Sequence, residues 1–125
     1  MTPSRSTVRV TPRGEIPTEI AGLVDRIEFE MRAVGIWGQV APDTEQLGSA
    51  LPFCVDTLRF EQWLQWVFLP RMRGLMRNHQ PLPTTSAIAP MAQECLAHLG
   101  PRTTSLLIMI ERFDLRIRIR GLGLH

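Results

Sequence analysis

A chain of 125 residues that is 44% hydrophobic and 21% charged has the make-up of one globular domain, long enough to bury a core without disulfide or metal staples. No apolar run approaches the roughly 18 residues of a membrane-crossing helix, and a net charge of +2 argues against a strong non-specific nucleic-acid binder. All fourteen basic side chains are arginine, which fits either a GC-rich coding sequence or a need for bidentate contacts to phosphate and carboxylate.

Residues 1–15 mix Pro3, Pro12 and Gly14 with serine and threonine, and carry Arg5, Arg9 and Arg13 without an apolar run. They are expected to form a disordered leader and not a secretory signal. Pro17 suits a first helical position. From Ile16 through Ile20, Leu23, Val24, Ile27 and Met31 to Val34, apolar residues recur at spacings of three and four, which predicts an amphipathic helix ending at Gly35 and Gly38 around Trp37. Ala41 to Ser49 reads as a connector with room for one helical turn after Pro42-Asp43. Pro52-Phe53 then leads into a second long helix, about Leu58 to Asn78, for which Asp56 or Thr57 is the expected N-cap.

That second helix is apolar on nearly all sides. At about 100° per residue, Phe60, Trp63, Leu64, Val67, Phe68 and Leu75 share one broad face, while Leu69, Met72 and Met76 fall on another. Such a helix belongs in the middle of a bundle. Pro70 removes the amide that would bond the Trp66 carbonyl, so a kink is expected there. Pro81 and Pro83 break the chain, and Ser86 is the expected cap of a third helix with a stripe of Ile88, Met91, Cys95 and Leu99. Gly100-Pro101 stops it, and Thr103 or Thr104 starts a fourth helix through Leu106, Met109, Ile110 and Phe113. Four helices with short loops predict an all-α fold, a small antiparallel four-helix bundle. Leu115 to Arg120 alternates with period two but has no strand to pair with, so residues 116–125 are expected to be a loose or extended arginine-rich tail.

The ordered anchors Gly35-Ile36-Trp37, Pro52-Phe53, Asp56-Thr57, Trp63-Leu64-Gln65-Trp66, Pro70-Arg71-Met72, Pro81-Leu82-Pro83 and Ile88-Ala89-Pro90 resemble the YqcC-like family of small bacterial helical proteins. The match is densest from Leu51 to about Glu94; the leader and the tail after Leu115 fall outside it. The domain is therefore expected over residues 16–115. The resemblance implies a four-helix fold and frequent genomic proximity to a tRNA pseudouridine synthase. It implies no catalytic residues.

Two sets of residues on the second helix are candidates for function. Arg71 falls on the wheel among Phe60, Leu64 and Val67, where an unpaired guanidinium costs several kcal/mol of desolvation. Three arrangements remain open: a buried ion pair with Asp56, Asp25, Glu28 or Asp114, rotation to solvent at the Pro70 kink, or an anion site beside Trp63 or Trp66. Trp66, Arg73 and Arg77, with Trp63 nearby, have the composition of a docking or base-stacking surface, and equally of a second packing face. Gln62 and Gln65 fit either a buried polar role or contact with a partner.

Enzymatic chemistry has little support in the sequence. His79, His98 and His125 lack carboxylate or cysteine neighbours at metal-ligand spacing. Cys54 and Cys95 are too few for a disulfide framework and are expected to be reduced thiols in a cytoplasmic protein. No phosphate-cradling loop or nucleophile elbow is present, so no cofactor is expected. The expectation is a non-catalytic accessory protein that docks on a protein partner such as a tRNA pseudouridine synthase. A weak RNA-binding module using Arg73, Arg77 and Arg112 to Arg120, a small-anion sensor around Arg71, and a homo-oligomer are the alternatives.

Overall fold

The computed structural model describes residues 18–123; the proposed leader, Pro17, Leu124 and His125 lie outside that range. Helix α1 (Thr18–Val34) buries Ile20, Val24, Ile27 and Met31 along the predicted stripe. It ends at Gly35, whose φ of 90° lets the Ile36 amide turn back to the Met31 carbonyl at 3.1 Å. The connector holds the expected single turn, α2 (Thr44–Leu47), closed by a capping box. The Gln46 amide donates to Asp43 Oδ1 at 2.8 Å, and the Asp43 amide donates to Gln46 Oε1 at 2.9 Å.

The central rod starts at Phe60, later than predicted, and neither Asp56 nor Thr57 caps it. Asp56 accepts from Ser49 Oγ, and Thr57 Oγ1 donates to the Gln46 carbonyl at 2.7 Å. Both side chains are spent tying the connector together. The free amide before the rod is that of Arg59, which donates to Gln62 Oε1 at 2.9 Å.

The rod itself runs as α3 (Phe60–Trp63), a π turn over Leu64–Phe68, and α4 (Leu69–Arg77). Its buried apolar residues include Phe60, Leu64, Phe68, Met72 and Met76, each four apart. A step of four overshoots one α-helical turn by about 40°, so this row would drift by about 160° around a regular helix. The π turn closes i→i+5 bonds, with the Leu69 amide donating to the Leu64 carbonyl. That takes in one extra residue and removes about 100° of the drift. The two faces that a regular wheel separates become one, and Leu69, Met72 and Met76 join Phe60, Leu64 and Phe68 in a single core. Pro70 follows as the second residue of α4, next to the register change, where its missing amide costs least.

Helix α5 (Ala89–Cys95) is shorter than expected; 3-10 turns within Ala97–Thr103, broken at Gly100 with φ 71° where Gly100-Pro101 is expected to stop the helix, lead into α6 (Thr104–Gly121). Its buried side is Ile88, Ala89, Ala92 and Leu96; of the predicted stripe Ile88 is buried, whereas Met91, Cys95 and Leu99 are only half-buried. Alanine at 89 and 92 lets the helix lie close on α6. The cap of α5 also differs from expectation. Asp114 of α6, 3% exposed, accepts from the Ile88 and Ala89 amides at 3.1 and 2.8 Å and from Ser86 Oγ at 2.5 Å. A carboxylate from another helix thus does the work assigned to Ser86.

The expected loose tail is helical as far as Gly121. Ile117 is fully buried, and Arg116 pairs with Glu19 of α1. Alternation with period two is compatible with a helix here because Phe113 and Ile117, four apart, supply the buried side. The result is an all-α bundle in which α1 packs against both α4 and α6, α5 packs against α6, and Phe68 meets Phe113 edge-on at 4.9 Å.

Two glycines should respond in opposite ways to alanine. A Cβ on Gly121 would lie 2.2 Å from the Thr84 carbonyl oxygen, whereas one on Gly22, exposed in α1, meets nothing within 4 Å. Gly121→Ala is expected to lower stability by about 1–3 kcal/mol, and Gly22→Ala to raise it by about 0.5–1 kcal/mol, both read from thermal or urea unfolding.

Candidate interaction site on the central helix

The register change in the rod decides where each candidate residue lies. Arg71 is exposed and forms no ion pair among the described residues. The extra residue upstream turns it about 100° away from Phe60 and Leu64. The buried Arg71–Asp56 pair is therefore not formed; Asp56 is exposed and engaged with Ser49.

Arg73 takes the tertiary pairing instead. Its guanidinium reaches Asp25 at 3.1 Å and Glu28 at 2.8 Å on α1. Glu28 also accepts from Arg32 Nε at 2.8 Å, and Arg32 lies over the Trp37 ring at 4.5 Å. Burial pushes the Glu28 carboxyl up, but the hydrogen bonds and charges of Arg32 and Arg73 outweigh it and hold it below the ordinary carboxylate range.

The tryptophans separate in the same way. Trp63 stands in an aromatic cluster with Phe53 at 4.7 Å, Phe68 at 5.6 Å and Phe60 at 6.0 Å, and is part of the packing. Trp66 is half-buried outside the main core, and Arg77 is exposed at the end of α4. The predicted docking set is thus split into two structural members, Trp63 and Arg73, and two outward ones, Trp66 and Arg77. In the arginine-rich segment Arg116 is paired and Arg118 donates to the Ser86 carbonyl at 3.2 Å, leaving Arg112 and Arg120 exposed.

Of three further features, the first settles a choice the sequence left open, between a buried polar role and a partner contact for Gln65, and the other two escaped the sequence. Gln65, 5% exposed in the π turn, accepts from the Gly38 amide and donates to the Gly38 carbonyl, both at 2.8 Å. It thereby clamps the loop after α1 onto the rod. Asp114 was visible only as an acid, because its partners lie 25 and 26 residues away. The third is a cavity of about 330 Å³ between the connector ahead of α3 and helix α5, with Phe53, Val55 and Phe60 on one side and Met91 and Cys95 on the other. The connector there is strained: Phe53 and Cys54 both have left-handed φ, 58° and 49°, at about 1–2 kcal/mol each for a side chain with a Cβ. Burial pushes the Cys95 thiol up, and Glu94 and Glu61 add to the shift, which disfavours a nucleophilic thiolate.

Among the described residues, no group of three or more His, Cys, Asp and Glu side chains is placed to hold a metal ion. No helix there is long and apolar enough to cross a membrane.

Fold and surface together define a small all-α bundle with a few buried polar side chains, Gln65 and Asp114 among them, tying its loops and helix ends. The chain belongs to the YqcC-like family. The matching family model, described as tRNA pseudouridine synthase C, covers residues 19–116. The uncharacterised protein YqcC of Escherichia coli is 35% identical over 97 residues, covering 72% of this chain and 89% of that one. The solution NMR structure of E. coli YqcC superposes with a TM-score of 0.71 at 33% identity, over 81% of this chain and 86% of that one. A tRNA pseudouridine synthase C of Pectobacterium carotovorum is 46% identical over 57 residues, which are 46% of this chain and 15% of that protein.

Replacing each arginine by alanine distinguishes their roles. Arg71→Ala should leave stability within about 0.5 kcal/mol of the native chain, while Arg73→Ala should lose about 1 kcal/mol at neutral pH. A carboxyl held low in the folded state contributes stability above its unfolded pKa, and loses it as pH falls through the folded value. The deficit of Arg73→Ala should therefore shrink below about pH 4. Urea unfolding across the acid range checks both statements.

Proposed function

We propose that this protein is a non-catalytic accessory domain that docks on a tRNA pseudouridine synthase in the cytoplasm. The observation that carries this reading is the 57-residue likeness to part of a tRNA pseudouridine synthase C, where the similar segment is 15% of a much longer chain. A segment carried within such an enzyme in one organism fits a separate protein bound to that enzyme in another. The name of the family model points the same way. The surface chemistry agrees with docking: Phe29, Leu51 and Val55 are apolar side chains standing in solvent.

Weak direct RNA binding is the second reading. It draws on Arg112 and Arg120, which lie with Arg116 on one side of α6 at spacings of four, and on Arg71 and Arg77 of α4. Arg73 drops out of it, because α1 already occupies its guanidinium.

Affinity purification of the tagged chain from its native cells, at low and moderate salt and after ribonuclease treatment, tests the proposal. The expected result is a stoichiometric tRNA pseudouridine synthase that survives both moderate salt and ribonuclease. RNA recovered only at low salt, with no enzyme, would overturn docking in favour of phosphate contacts, whose affinity falls steeply with salt.

A further inference from the structure

The cavity between the connector and α5 borders the core at Phe60 and opens on the side away from it, and its chemistry narrows the choice of occupant. Its volume of about 330 Å³ is roughly twice the 150 Å³ that admits one benzene ring, and it stands at the bottom of the range of about 300–1,000 Å³ for small-molecule sites. That is space for two apolar side chains and is tight for a nucleotide or a large cofactor.

The lining favours an uncharged ligand: it is mostly apolar, and beside the paired Arg59 and Glu61 and the Cys95 thiol its one other ionisable side chain is His98. Arg59 and Glu61, both in the lining, pair with each other at 3.3 Å. The Cys95 thiol stays neutral under the burial and neighbouring acids already described. Charge complementarity therefore favours a neutral occupant.

The connector is also built to present an apolar edge. Leu47, Leu51 and Val55 are 39%, 49% and 58% exposed, so three of the eight exposed large hydrophobic side chains among the described residues fall within nine positions. The hydrogen bonds from Ser49 to Asp56 and from Thr57 to Gln46 hold this segment in place. The left-handed Phe53 and Cys54 bury the cysteine and leave Val55 outside. A preformed socket loses little entropy on binding, and Met91, an adaptable thioether, lines its far side.

Resting on the docking reading above, we propose that this cavity is the socket by which the domain holds the synthase. It accepts two uncharged apolar side chains one helical turn apart on an amphipathic segment of the enzyme, in the helix-in-groove manner.

The test uses the full chain and the tRNA pseudouridine synthase C of the same organism. Affinity is measured for the native chain, for Val55→Asp and for a double variant, Arg71→Glu with Arg77→Glu. In parallel, iodoacetamide alkylation of Cys95 is followed with and without saturating enzyme. Val55 is exposed, so Val55→Asp should keep the native melting temperature while binding weakens at least about tenfold. The arginine variant should stay within about twofold, and the enzyme should slow alkylation of Cys95 at least about fivefold.

Binding that survives Val55→Asp, or alkylation of Cys95 unchanged in the complex, would overturn the socket and leave docking elsewhere on the domain intact. A native chain that does not bind the enzyme would sink the docking reading, and the socket with it. Alkylation slowed by self-association of the chain, with no enzyme present, would assign the cavity to a second copy and overturn the proposal. Should Val55→Asp fail to fold, protection of Cys95 decides the matter.

Discussion

The structure depends on one residue too many in its central helix. A row of large apolar side chains set four apart, from Phe60 to Met76, cannot face one core on a regular α-helix, because the row drifts around the rod by about 160°. The π turn over Leu64–Phe68 absorbs most of that drift. Because of it Phe68 reaches Phe113, Met72 and Met76 stay buried, and Arg73 lands where Asp25 and Glu28 meet it. Gln65 sits within the same turn and uses both ends of its amide on Gly38. The turn that corrects the register therefore also anchors the loop from α1. An unpaired buried amide would cost about 1–3 kcal/mol, so this clamp resists any sliding of the rod.

Much of this fold was legible. The stripe of α1, its stop at Gly35, the turn after Asp43 and the break at Pro81 each follow from local chemistry, and local chemistry is what a sequence displays. What was not legible is non-local. Asp114 caps a helix that begins 25 residues before it, and Glu19 holds Arg116 across the bundle. These pairings exist only once the helices are packed, which is also why the alternating Arg-Ile segment reads as a loose tail until α1 is laid beside it.

That Arg71 stayed open between a buried pair, an anion site and the solvent-facing position it takes has a different cause, since the information was present in the chain. The strict spacing of four through Phe60, Leu64, Phe68, Met72 and Met76 is itself the mark of an inserted residue, and Pro70 marks where the helix tolerates a change of bonding. A wheel drawn at constant angle hides both. It assigns a buried charge to a position that faces solvent, and two faces to a helix that has one. The same correction bears on function, because it withdraws Trp63 and Arg73 from the outer surface and leaves the apolar connector beside α5 as the better-formed place for a partner.

The most direct test of the inserted residue is to remove it. Deleting Val67, with Pro70→Ala to restore the lost amide, should convert the rod into a continuous α-helix while keeping Phe60 and Leu64 in register with Met72 and Met76. Measured by urea unfolding, that variant should remain cooperatively folded, losing no more than about 2–3 kcal/mol for the missing half-buried side chain. Deleting one residue from an ordinary helix instead turns everything downstream by about 100°. Loss of cooperative unfolding in the deletion variant, with Met72 and Met76 carried out of the core, would contradict the account.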